Sequence, residues 1–194
     1  LDDEEKAEYS TLIKHNSELL STLINDVLDL SSLESGRYSV NLAPTRVNAV
    51  CHQSIATVIH NVPQGVRLYF TTEVGDDYTI ETDANRLQQV LVNYLTNAEK
   101  HTDQGEIHLH CSLSERPGHL TFSVTDTGEG IPESEQEHIF ERFKKLNIFK
   151  QGTGLGLNIC RLIAKRLQGE ARLDTTYKGG ARFLFILPLK QVQE

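Results

Sequence analysis

Several residue types are scarce in this chain, and each scarcity excludes a class of protein. The 194 residues include no Met, no Trp, three Cys and five Pro. Three scattered cysteines (Cys51, Cys111 and Cys160) cannot form the disulfide framework of a small secreted domain. No apolar run approaches the roughly 20 residues that cross a bilayer, and no signal-peptide pattern opens the chain. We therefore expect a soluble protein of the reducing cytoplasm, and the absence of Met predicts a piece of a longer protein.

Basic charge is also in deficit. The chain has 19 Lys and Arg against 27 Asp and Glu, a formal net charge of −8. Nucleic-acid binding that relies on bulk charge needs a basic face, so we expect no nucleic-acid partner. Hydrophobic residues make up 38% and charged residues 24%, which is typical of a globular protein.

The N-terminal segment predicts one long helix over residues 2–36, with Gly36 as its C-terminal cap. One apolar row recurs every seventh residue and forms a heptad-like seam. A second apolar row lies beside the first. The rows are Ile13, Leu20 and Val27, and Leu12, Leu19 and Leu33. So wide a stripe indicates a bundle helix with several neighbours.

The rest of the chain mixes helices and strands. Residues 37–46 are predicted as an extended linker that contains Pro44, and residues 47–190 as one domain. The predicted helices are 47–62, 84–101, 133–140 and 154–168, and the predicted strands are 66–74, 78–82, 106–113, 119–125, 170–176 and 181–187. Because helices and strands do not alternate strictly, we expect an α+β fold, a two-layer α/β sandwich preceded by one long bundle helix.

A glycine-rich segment stands directly before the last predicted helix. It reads Gly152, Thr153, Gly154, Leu155, Gly156 and Leu157. Glycines allow close backbone approach, and the free N–H groups of a helix N-terminus attract an anion such as phosphate. The spacing fits neither a Walker A loop nor a dinucleotide fingerprint. Taken alone, the segment is equally typical of a flexible loop.

A second cluster begins where a predicted strand ends. Asp126 is followed by Gly128, Gly130 and Ile131. A carboxylate in this position can accept a hydrogen bond from an exocyclic amine such as that of adenine. An ordinary Asp-Gly turn is the alternative.

A third cluster lies on the predicted helix 84–101. Asn93 and Asn97 share one face of the helix, and Lys100 lies on the same side. An amide oxygen is a suitable ligand for Mg²⁺, and a lysine can reach a phosphate. Surface amides on a half-exposed helix are the alternative.

Charge contrast marks a fourth feature. Residues 126–141 contain six acidic residues and no Lys or Arg. The charged residues of the segment 142–152 are all basic: Arg142, Lys144, Lys145 and Lys150. A basic loop directly before a glycine-rich anion site is a candidate lid over phosphates. A solvated loop whose charge arises by chance is the alternative.

Along the chain the clusters follow the order Asn helix, Asp-Gly turn, basic loop and glycine-rich segment. In that order they resemble the catalytic and ATP-binding domain of sensor histidine kinases, a Bergerat-type domain shared with gyrase, Hsp90 and MutL. The resemblance covers nearly the whole chain. Residues 16–36 resemble the second helix of the dimerisation and phosphoacceptor hairpin. The family's N, G1, F, G2 and last glycine boxes resemble residues 86–100, 126–131, 139–143, 152–157 and 179–183.

The resemblance implies a role for each matching residue, with ATP and Mg²⁺ as cofactors. Asn97 is the implied Mg²⁺ ligand, Lys100 contacts phosphate, and Asp126 reads the adenine amine. Phe140 and Phe143 anchor the lid. The implied catalytic residues are Asn93, Lys100 and Arg142. The other implied nucleotide-binding residues are Gly128, Gly130, Ile131, Lys144, Lys145, Gly152, Thr153, Gly154, Leu155 and Gly156.

The implied reaction is transfer of the ATP γ-phosphate to a histidine outside this fragment. Asn93 stands where ATP-hydrolysing relatives carry a Glu, and Asn cannot act as a strong general base. No His-Glu segment followed by Pro is present, and the context of His15 does not match, so we expect no autophosphorylation by this chain alone. A non-catalytic signalling scaffold and a Bergerat-type ATPase are the alternatives.

Some positions depart from the family pattern, namely His101, Lys178 and Ala181.

The implied partners are a second copy of the parent protein, held through the helical hairpin, and the receiver domain of a response regulator. We expect no nucleic-acid partner, because the chain is acidic, and no membrane contact by this fragment. The resemblance leaves open whether the parent is anchored in the cytoplasmic membrane.

A metal site at His108, His110 and Cys111 is a weaker hypothesis. In a strand, the two histidines share one face, and a core face contains Ile107, Leu109, Cys111 and Leu113. A zinc site needs about four converging ligands. Ordinary packing is therefore the favoured interpretation.

Overall fold

The computed structural model describes residues 2–36, 39–113, 116–145 and 152–189. Its first helix, α1 (Asp3–Glu34), begins with a capping box between Asp2 and Glu5. Gly36 follows the end of α1 with φ +70°, the left-handed conformation that favours glycine. The predicted first helix is thus confirmed. None of the described helices combines the length and apolarity needed to span a membrane.

Four further helices and seven strands follow α1 along the described chain. The helices are α2 (Val47–Val58), α3 (Ala84–His101), α4 (Glu133–Gln136) and α5 (Gly156–Arg166), and a 3₁₀ turn at Ile59–Asn61 extends α2. The strands are β1 (Ala43–Arg46), β2 (Val66–Thr72), β3 (Thr79–Thr82), β4 (Gly105–Leu113), β5 (His119–Asp126), β6 (Glu170–Leu173) and β7 (Arg182–Pro188). Most predicted elements are present within a few residues, but α4 and β6 are shorter than predicted.

The predicted linker 37–46 is wrong in its second half. Ala43–Arg46 form β1, which pairs antiparallel with β3 in a two-stranded sheet. Pro44 is tolerated there because a strand with a free edge need not donate every backbone N–H. Pro44 within the segment favoured a connector over a strand, so sequence reasoning did not predict β1. Residues 37 and 38 lie outside the described part of the chain.

A five-stranded sheet in the order β2-β4-β5-β7-β6 forms the second layer of the domain. β2 and β4 are parallel, and the other neighbours are antiparallel. α2, α3 and α5 pack on the sheet, and side chains along β5 alternate between buried and partly buried. The largest fully buried side chains include Tyr94, Phe122 and Phe185. The expected two-layer α/β sandwich is therefore confirmed.

The core face of β4 is predicted correctly except at its end. Ile107, Leu109 and Cys111 are buried, but Leu113 is 54% exposed because it lies at the end of the strand. His108 and His110 lie on the opposite face, where each contacts the Thr71 hydroxyl. Within the described ranges, no group of three or more His, Cys, Asp or Glu side chains could hold a metal ion.

The turn between α5 and β6 generates a prediction on stability. A Cβ at Gly169 would lie 2.2 Å from the Ile186 carbonyl oxygen, so Gly169→Ala must displace backbone. We expect a loss of about 1–3 kcal/mol in the free energy of unfolding, typical of overpacking. Gly75→Ala is the matched control, because nothing lies within 4 Å of its added Cβ. Chemical denaturation measures the free energy of unfolding of both variants. Equal stability of Gly169→Ala and Gly75→Ala would contradict the close packing at Gly169.

Candidate functional site

A cavity of about 760 Å³ lies between α1, α3 and the N-terminus of α5. It gathers residues from all four clusters that the sequence singled out, which extend from residue 93 to residue 157 of the chain. The predicted site residues that line it are Asn93, Asn97, Lys100, Asp126, Gly130, Ile131, Lys144, Lys145, Gly152, Thr153, Gly154 and Gly156. Tertiary packing thus places a carboxylate, amides, lysines and glycines around one space.

The amphipathic helix α3 supplies one wall of the cavity. Asp83 caps the helix by accepting hydrogen bonds from the backbone N–H groups of Asn85 and Arg86. One face of α3 is buried in the core through Leu87, Val90, Leu91, Tyr94, Leu95 and Ala98. The row that contains Asn93, Asn97 and Lys100 faces the cavity.

Lys100 is the partly buried cation of this wall. Burial lowers the pKa of Lys100, because the charged ammonium loses hydration, and Lys145 acts in the same direction. Glu99 and Asp26 oppose this shift. An ammonium in these surroundings is well placed to gain from an anionic ligand.

Asp126 lies at the end of β5 and is only 3% exposed. Its Oδ1 accepts hydrogen bonds from the backbone N–H groups of Gly128 at 2.9 Å and Ala181 at 3.2 Å. Burial raises the pKa of Asp126, and the two backbone hydrogen bonds limit that rise. Among the described contacts none engages Oδ2, so this oxygen is available to accept a hydrogen bond from a ligand.

The loop after Asp126 requires a glycine at position 128. A Cβ there would lie 1.9 Å from the carbonyl oxygen of His101. The absence of a side chain lets the loop approach the end of α3 closely enough for Glu129 N–H to donate to the same carbonyl, at 3.3 Å. Gly128 therefore shapes the site although it does not line the cavity.

The glycine-rich loop leads directly into α5. The Thr153 hydroxyl accepts a hydrogen bond from the Leu155 backbone N–H at 3.2 Å and donates one to Asp26 of α1 at 2.5 Å. Leu155 is fully buried and anchors the loop in the core rather than lining the cavity. The N-terminus of α5 thus opens on the cavity with its backbone N–H groups available to an anion.

The structure does not bring every predicted site residue to the cavity. Arg142 forms an ion pair with Glu34 at the end of α1, so its catalytic role stays a prediction. Phe140 is buried against Phe183, with ring centroids 6.2 Å apart, whereas Phe143 is 64% exposed. Lys150 lies outside the described residues.

Sequence reasoning missed the contribution of α1 to the cavity. This helix lines it with His15, Glu18, Leu19, Thr22 and Asp26, and Asn61 adds to the lining after α2. The one available signal was the pair of acids, Asp26 and Asp29, on an otherwise apolar stretch of helix. Which neighbour those acids meet depends on helix packing and not on the local pattern.

The C-terminal half of α1 is fixed to the domain by polar contacts. Asp29 accepts hydrogen bonds from Arg86 at 3.1 Å and from Gln89 at 2.7 Å. The Arg166 guanidinium donates to the Leu33 carbonyl oxygen at 2.5 Å. These contacts hold Asp26 at the wall of the cavity.

Known histidine kinases are similar to this chain in sequence and in fold. The circadian input-output histidine kinase CikA of Synechococcus elongatus is 33% identical over 192 residues, covering 95% of this chain and 25% of CikA. The crystal structure of full-length ShkA in complex with AMPPNP matches with a TM-score of 0.82 and 27% identity, covering 98% of this chain and 40% of ShkA. The histidine kinase ThkA, in complex with the response regulator protein TrrA, matches with a TM-score of 0.76 and 25% identity, over 98% of this chain and 53% of ThkA.

The chain therefore spans about a quarter of the length of CikA. A profile of the histidine kinase-, DNA gyrase B- and HSP90-like ATPases matches residues 82–191, more than half of the chain. This match covers all five predicted boxes, including those on α3, at the Asp126 turn and in the glycine-rich loop. The family expected from those boxes is confirmed, and the chain belongs to the histidine kinase-, DNA gyrase B- and HSP90-like ATPase family.

Proposed function

We propose that this chain is the ATP-binding catalytic domain of a sensor histidine kinase, joined to one helix of its dimerisation hairpin. It transfers the γ-phosphate of ATP to a histidine that lies outside these residues. The observation that carries the proposal is the single cavity shared by Asp126, Asn97, Lys100 and the glycine-rich loop. The names of CikA and ThkA and the AMPPNP in the ShkA structure support it.

In this proposal the adenine and the phosphates of the nucleotide are bound by different kinds of groups. The Oδ2 of Asp126 accepts a hydrogen bond from the adenine amine, because Oδ1 is held by backbone N–H groups. Lys100, Lys145 and the N-terminus of α5 attract the phosphates. Asn97 offers a neutral oxygen ligand, which suits Mg²⁺ when phosphates supply the negative charge. Bound Mg²⁺ offsets the charge of those phosphates.

Transfer to a protein histidine is favoured over hydrolysis because position 93 carries an amide. Phosphoryl transfer depends mainly on positioning and charge neutralisation. Asn93 lines the cavity at the position where hydrolysing relatives carry a Glu, and its amide cannot take a proton from water. A Bergerat-type ATPase is therefore the second choice, and a non-catalytic scaffold is the third.

We also propose the partners of the parent protein. Large apolar side chains on α1 are exposed in this chain: Tyr9, Leu12, Ile13, Leu20, Ile24, Val27 and Leu28. Such a face suits a second hairpin helix and a second copy of the parent. The structure of ThkA with TrrA supports a response regulator as the acceptor of the phosphate. We propose that the domain acts in the cytoplasm, because it would use ATP and because its described cysteines are free.

The first prediction concerns adenine recognition. Asp126→Asn should weaken ATP binding about 10- to 100-fold, because an amide N–H₂ would face the adenine amine and two donors would meet. Calorimetric titration with AMPPNP measures this loss. Asp77→Asn, an exposed substitution remote from the cavity, is the matched control. Failure of the wild-type chain to bind at millimolar nucleotide would favour the scaffold.

The second prediction concerns the metal. Asn97→Ala should lower the affinity for Mg-AMPPNP at least about tenfold, the loss typical even of outer-shell partners of a metal. Affinity measured without Mg²⁺ should change little. Asn85→Ala removes an exposed amide from the first turn of the same helix and should leave both affinities unchanged. An equal loss with and without Mg²⁺ would contradict the metal-ligand role.

The third prediction separates kinase from ATPase. With saturating Mg-ATP and no histidine substrate, the wild-type chain should release inorganic phosphate no faster than buffer does. A phosphate-release assay measures this rate, with Asp126→Asn as the reference for a weakened nucleotide site. Steady turnover that the Asp126 substitution abolishes would show an ATPase instead.

A further inference from the structure

A carboxylate of α1 lies among the groups that the proposed function assigns to phosphate. Asp26 lines the cavity although it stands outside residues 82–191, which match the family profile. Its Oδ2 accepts a hydrogen bond from the Thr153 hydroxyl at 2.5 Å. Burial raises the pKa of Asp26, while Thr153 and Lys100 limit the rise. Asp26 therefore interacts with both the glycine-rich loop and the lysine of α3.

The hydroxyl of Thr153 cannot serve two acceptors at once. It carries one hydrogen, so donation to Asp26 excludes donation to a phosphate oxygen. Lys100 is likewise attracted to either anion, and the carboxylate and a phosphate repel one another more strongly in a half-buried cavity than in water. Asp26 and a phosphate are thus alternative partners of the same two groups.

The position of Asp26 depends on how α1 is docked. Asp29, one turn further along the helix, is bound by Arg86 and Gln89 of α3. The Leu33 carbonyl is bound by Arg166 of α5. Because these contacts hold the helix against the domain, Asp26 stays at the cavity wall while α1 is docked.

We propose that Asp26 competes with the terminal phosphate of the nucleotide for Thr153 and Lys100, so that docking of α1 and binding of ATP oppose each other. This inference rests on the proposed function, which places Mg-ATP in this cavity. The coupling is reciprocal: α1 docking weakens ATP binding by the same factor as ATP weakens α1 docking. A displacement of α1 is thereby converted into a change in ATP affinity.

A direct role for Asp26 in binding Mg²⁺ is the rival explanation, and it predicts the opposite sign. Removing a metal ligand weakens nucleotide binding, whereas removing a competitor strengthens it. The affinity of a variant without this charge therefore decides between the two.

The test is calorimetric titration of the full 194-residue chain with Mg-AMPPNP and with Mg-ADP. Asp26→Asn removes the charge and Asp26→Ala removes the acceptor as well. We expect both variants to bind Mg-AMPPNP about three- to tenfold more tightly than wild type, and Mg-ADP with less than about a twofold change, because ADP lacks the terminal phosphate. Glu8→Gln removes the same charge from an exposed position of α1 that does not line the cavity, and should change neither affinity.

A second variant tests the route of the coupling. Thr153→Val removes the shared hydroxyl, so Asp26→Asn should give a smaller gain in that background than in wild type. Unchanged or weaker Mg-AMPPNP binding by Asp26→Asn overturns the inference, as does an equal gain for Mg-ADP or for Glu8→Gln. If no variant binds either nucleotide, the proposed function itself fails. If nucleotide binds but its affinity does not depend on Asp26, only the proposed competition fails.

Discussion

The site depends on the two faces of α3. One face buries Leu91 and Tyr94 against the sheet, and the adjoining face presents Asn97 and Lys100 to the cavity. The helical period fixes the angle between these rows, so burial of the first determines the direction of the second. Hydrophobic packing thereby aims the polar groups without any dedicated contact among them.

Asp126 shows how a buried charge is accommodated at such a site. Its carboxylate loses hydration at the end of β5, and two backbone N–H groups, from Gly128 and Ala181, compensate part of that loss. Both donors belong to glycine-containing loops that come close to the Asp126 carboxylate. The same hydrogen bonds that make the charge tolerable also orient its second oxygen, so stability and the proposed adenine recognition would have a common origin.

α1 gives the domain a second level of organisation. Its apolar face is exposed, whereas its polar contacts through Asp26, Asp29 and Leu33 hold it against the rest of the chain. If the exposed face binds the proposed partner, displacement of α1 and binding of the proposed nucleotide would influence each other reciprocally. The cavity is lined by residues of α1 as well as by residues of the matched region 82–191.

The sequence alone determined what is local. Apolar periodicity located α3 to the residue, and the ordered glycine, Asp and Asn clusters identified the family. Tertiary structure decided which residues share the cavity: it placed Asp26, which sequence reasoning missed, at the wall, paired Arg142 with Glu34, and exposed Phe143. The physical reason is that local patterns encode which face of an element is apolar, whereas contacts between remote elements follow from how those faces pack together.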